Sequence, residues 1–137
     1  MIYANFELCK QLHDLGIVRQ NETEYSRYYF DPSKGYIISN IIKKRSIEPF
    51  IKDGILCLPA WRIDELWDAL PNEIQLEPDG FLFSFGIEKK KESVKIWYDT
   101  PEMKSGDANF ALLIVESSNL PDALASMRIK LKEKGLM

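Results

Sequence analysis

The stretch FLFSFGIEKKKESVKIWYD (81–99) constrains the fold more tightly than any other part of the chain. Phe81, Phe83, Phe85 and Ile87 alternate with Leu82, Ser84, Gly86 and Glu88, and Val94, Ile96 and Tyr98 share one face of a second segment. A period of two is a strand signature, because successive side chains point to opposite faces. The polar KKKES between the two segments is a turn, so the stretch predicts an antiparallel hairpin. A hairpin with one apolar face must cover that face, and the remaining sequence has to supply the cover.

Three helices are expected to do so. Residues 5–15 carry Leu8, Leu12 and Leu15 on one stripe beside Cys9, with Asn5 as cap, Gly16 as terminator and Ile17 folding back. In AWRIDELWDALPNEI (60–74), Ile63, Leu66, Trp67 and Leu70 sit at i, i+3, i+4 and i+7, and Pro71 sets a hard end. The spacing assigns Trp67 to the core. Trp61 precedes the cap Arg62 and has two readings. It either packs on Leu66 as a hydrophobic staple, with Glu65 reaching back to the Arg62 amide, or stands open as a surface anchor. The third helix, NLPDALASMRIKLKEKG, begins at Asn119, Pro121 and Asp122, carries the stripe Leu120, Leu124, Met127 and Leu131, and ends at Gly135.

Two more strands are expected from YSRYYF and YIISNII (25–42), joined by the turn DPSKG. ILCL (55–58) reads as a short buried strand, and NFALLIVES as a strand apolar on both faces and therefore interior to its sheet. A loop occupies 100–108. The resulting expectation is one α+β domain over 1–137. It has a largely antiparallel sheet of about five strands and about three helices packed mainly on one face.

LPAWRIDELWDALPNEI and SSNLPDALASMRIKLKEKG together resemble a group of small uncharacterised proteins from phages and integrated elements of gut Bacteroides-type bacteria. The likeness covers residues 56–74 and 117–135, about a quarter of the chain. It implies a phage or mobile-element context and no particular activity. Arg62 departs from the pattern, since the group usually has Ser or Thr there.

Composition narrows the chemistry. A net charge of −3 argues against a general polyanion binder, and no segment has the roughly 20 apolar residues that span a bilayer. MIYANFELCK has no basic start followed by a sustained apolar run, so the expected location is the cytoplasm. Cys9, Cys57 and His13 are too few for a structural zinc site, and Walker, calcium-loop and dinucleotide glycine patterns are absent from the sequence. No cofactor, metal or small-molecule ligand is expected.

The leading expectation is a noncatalytic protein acting through contacts with an unknown protein or with itself as a homodimer. Tyr28, Trp61, Arg62 and Trp97 are the candidate surface. An acidic inhibitor of the immunity type fits the same class. The alternative is a nucleic-acid accessory protein using Lys43, Lys44, Arg45, Lys89, Lys90 and Lys91. The third is a metal-assisted enzyme using Asp64 and Asp68, neighbours on one helix face.

Overall fold

The computed structural model describes residues 3–17, 25–31, 35–41, 50–52, 55–76, 81–99 and 113–136; for 25–31, 35–41, 50–52, 55–57, 59, 76 and 81 the description is of the backbone. The expected turn residues 32–34, the basic cluster 43–45 and the loop 100–108 lie outside it. Among the described residues no helix is long and apolar enough to cross a membrane.

The elements run α1 (Phe6–Asp14), β1 (Tyr25–Asp31), β2 (Gly35–Ile41), β3 (Phe50–Lys52), β4 (Ile55–Pro59), α2 (Ile63–Ala69), β5 (Glu73–Leu76), β6 (Phe81–Lys89), β7 (Val94–Asp99), β8 (Ile114–Ser117) and α3 (Leu120–Glu133). The class is α+β and every described strand pair is antiparallel. The strands form two sheets of four, ordered β2-β1-β4-β3 and β5-β6-β7-β8, in place of the expected single sheet of about five. The two unanticipated strands, β3 and β5, have three and four residues. Segments that short carry too little alternation to be recognised before their partners are known.

The expected hairpins form. Tyr25 pairs with Ile41 through to Asp31 with Gly35, and Ser84 with Asp99 through to Lys89 with Val94. The turn of the second hairpin closes with Lys90 N–H donating to the Ser93 carbonyl at 2.8 Å. One expectation is overturned: β8 lies at the edge of its sheet, next to β7 alone. Its apolar residues on both faces have separate uses. Leu113 and Val115 are buried, whereas Ile114 points to the opposite face beside its register partner Trp97. The edge is partly shielded, because Lys130 of α3 donates to the Ile114 carbonyl at 3.0 Å.

The helical face of the second sheet presents Ile74, Phe83, Ile96, Tyr98 and Val115, all buried. The long helix α3 packs on β7 and β8, and α1 and α2 both pack on α3. Its stripe residues Leu124, Met127 and Leu131 are fully buried, joined by Ala123, Ala125 and Ile129. Capping follows the sequence. Asn5 Oδ1 accepts from the Leu8 amide at 2.9 Å, Asn119 Oδ1 accepts from the Asp122 amide at 3.0 Å, and Gly16 and Gly135 take φ of 75° and 70° at the ends of α1 and α3.

Candidate functional site

The segment 60–74 holds one tryptophan where the staple reading puts it and the other in an unexpected place. Trp61 is 5% exposed and belongs to the core. A two-residue pairing of the N-terminal segment holds its backbone: Tyr3 bridges to Arg62, and Ala4 N–H donates to the Trp61 carbonyl at 3.0 Å. On the other side the Trp61 amide lies 3.5 Å from Cys9 Sγ, whose thiol is 3.7 Å from the Ala4 carbonyl. Trp61 therefore does not serve as a surface anchor, and its burial fits the staple instead. Leu66, its expected staple partner, is buried in the same cluster, and Glu65 Oε1 accepts from the Arg62 amide at 3.4 Å.

Trp67 is the reverse case. Expected in the core, it is 47% exposed. Residues at i, i+3, i+4 and i+7 fan over an arc of about 100°. In α2 the sheet and α3 take the Leu66–Leu70 side of that arc, so those two are buried, Ile63 is half-buried, and Trp67 falls on the rim. Its indole meets the Phe85 ring edge-on, with centroids 5.6 Å apart and planes at 81°. Phe85 meets Tyr98 in the same manner at 5.4 Å and 69°. Trp67, Leu70, Pro71, Asn72 and Phe85 line a small cleft.

Tyr98 anchors this array, its hydroxyl donating to the Pro71 carbonyl at 2.7 Å. Burial raises the Tyr98 phenol well above its ordinary value of 10.0. The folded phenol thus stays protonated where the unfolded one ionises. The stability it contributes is complete below pH 10 and declines as pH rises above that. Alkaline denaturation is accordingly expected to steepen above pH 10 in the native chain and to flatten in Tyr98→Phe, which loses about 1 kcal/mol at neutral pH. Urea midpoints at pH 7 and 11 check both; parallel alkaline losses in the two proteins would refute the assignment.

The other candidate residues do not converge on Trp61. Arg62 is half-buried, with its Nε 3.3 Å from Asp64 Oδ1. Trp97 lies on the opposite face of the second sheet from the helices, since its neighbours Ile96 and Tyr98 are buried. Its ring rests over Gly86, where a Cβ would come within 2.5 Å of the indole, and Lys95 Nζ is 5.9 Å from the ring centroid. Tyr28 pairs with Ile38 and Leu58, and its side chain is outside the description.

Lys89, Lys90 and Lys91 are exposed at the β6–β7 turn. Lys90 Nζ reaches Glu116 at 3.4 Å, and Ser93 Oγ donates to the same carboxylate at 2.8 Å. These contacts, the serine bond first, hold the Glu116 carboxyl below its usual range. Lys43, Lys44 and Arg45 fall outside the description. Asp64 is engaged by Arg62, and the described residues hold no group of three metal-ligating side chains that includes Asp64 and Asp68. Cys9 is buried while His13 is exposed, so the helix does not place them as a pair.

Fold and cleft thus define an α+β protein of antiparallel sheets with an exposed aromatic edge. No family model, curated protein or solved structure matches the chain.

Proposed function

We propose that the chain is a noncatalytic protein of a phage or mobile element. It works inside the host cell by gripping another protein, or a second copy of itself, through the Trp67 cleft. The observation that supports this reading is a large aromatic, 47% exposed, held edge-on by Phe85. Phe85 is braced in turn by Tyr98, which is bonded to Pro71. A side chain fixed before binding loses little entropy on contact, and tryptophan is among the residues that most often dominate interface energy. The cleft replaces the Trp61-centred surface expected from sequence.

A photo-crosslinking residue placed at position 67 tests this. Expected are adducts formed in host cells that unlabelled wild-type protein competes away and unlabelled Trp67→Ala protein does not. The control position is Leu82, 52% exposed on the other sheet face. Equal adducts at both positions, or competition by both proteins, would refute the reading.

The nucleic-acid alternative draws on Lys89, Lys90 and Lys91 on one exposed turn, with Lys95 and Trp97 on the same hairpin. It is weakened by the Glu116 carboxylate among those cations. Binding to single-stranded DNA that falls steeply with salt would favour it, and no binding at low salt would eliminate it.

A further inference from the structure

The cover over β6 thins along the strand. On the helical face Phe83 is fully buried, Phe85 is half-buried, Ile87 is 43% exposed, and Lys89 is exposed. The cause is the reach of the helices. α2 has two turns before Pro71 stops it, and α3 lies over β7 and β8. Trp67, Phe85 and Ile87 consequently form an apolar strip. With same-face residues about 7 Å apart, the strip and its flanks extend roughly 20 Å from α2 to Lys89.

Charge divides its two ends. At the α2 end, exposed Asp64 and Asp68 flank Trp67, and residues 60–76 contain one basic and four acidic side chains. At the hairpin end Lys89 and Lys91 stand exposed, with Glu92 the one acid of KKKES, while Lys90 is held by Glu116 of β8. The strip is therefore apolar in the middle, acidic at one end and basic at the other.

Such a surface is complementary to itself. A twofold axis through its centre lays strip on strip, and sets the acidic end of each copy against the lysine end of the other. From this we infer that the occupant of the cleft is a second copy of the chain, in an antiparallel twofold dimer through Trp67, Phe85 and Ile87. The inference rests on the contact reading above and names the partner. The strip is short for an interface, so the dimer is weak and forms at high protein concentration.

Charge reversal tests the pairing through sedimentation equilibrium of the full chain. Asp64→Lys with Asp68→Lys makes both ends basic, and Lys89→Glu with Lys91→Glu makes both ends acidic. Each variant alone is expected to dimerise about tenfold or more weakly than wild type, because like charges meet at both ends. Mixed one to one, the two should form a heterodimer at about wild-type strength. Trp67→Ala and Ile87→Ser, both checked for folding by circular dichroism, should each abolish the dimer. A mixture that stays monomeric, or a dimer that survives Trp67→Ala, overturns the proposal. A wild type that is monomeric at all concentrations also overturns it. If position 67 still crosslinks specifically to a host protein, only the second copy is lost; if it does not, the contact reading falls as well.

Discussion

Trp61→Ala is expected to lose about 3–5 kcal/mol of folding stability, whereas Trp67→Ala loses about 1 kcal/mol. Trp61 is 5% exposed and sits where three parts of the chain meet: the Ala4 amide bonds its carbonyl, Cys9 Sγ meets its amide, and its side chain lies in the cluster with Leu66 and Leu58. Truncation leaves a cavity lined by groups that their own backbone bonds hold in place. Trp67 has its indole half in water and gives up mainly the edge contact with Phe85. A domain of this size is stable by about 5–15 kcal/mol, so the first substitution removes a large share and the second a small one. Urea unfolding gives both values. A Trp67→Ala loss equal to or above that of Trp61→Ala would invert the assignment. Acrylamide quenching offers an independent check: Trp67→Phe should remove much of the quenchable fluorescence, and Trp61→Phe almost none.

The contrast between the two tryptophans shows what the local sequence of 60–74 contains. Pro71 dictates where α2 ends, and Leu66 and Leu70 are buried as their spacing requires. The spacing gives an apolar arc without saying which edge of it meets the core. That edge is chosen by α3 and by the β6–β7 hairpin, elements that lie outside the segment. Tyr3 and Ala4 pair with 61–62 and leave no periodic trace. Elements with their own period were legible: the β6–β7 hairpin, the β1–β2 hairpin, and the caps at Asn5 and Asn119. β3 and β5 were not, since three or four residues become a strand only against a neighbour. The candidate cleft belongs to this second kind. Phe85 and Trp67 were each expected to be covered, and they form an open edge because the helices fall short of the sheet.

Asp122→Ala is expected to destabilise the chain by about 3 kcal/mol, since hydrogen bonds to a charged group are each worth about 1.5–3 kcal/mol and are not additive. Asp122 is 7% exposed, in the first turn of α3. Its Oδ1 accepts from the Asn5 amide at 2.8 Å, and Oδ2 accepts from Asn5 Nδ2 at 3.2 Å and from Asn119 Nδ2 at 2.9 Å. Asn5 caps α1 and Asn119 caps α3, so one carboxylate ties two helix starts, reaching Asn5 from 117 positions away in the chain. The charge also lies at the positive ends of both helices. Alanine removes three acceptor contacts and leaves the Asn5 amide without this partner. Asparagine is a poor substitute, because its NH2 group would face the two amide donors now bonded to Oδ2. Stability in Asp122→Asn should therefore fall nearly as far. The coupling is measurable: Asn5→Ala and Asp122→Ala together should cost at least about 1 kcal/mol less than the sum of the single losses. Additivity within about 0.5 kcal/mol would mean the two helix caps act independently and that Asp122 serves α3 alone.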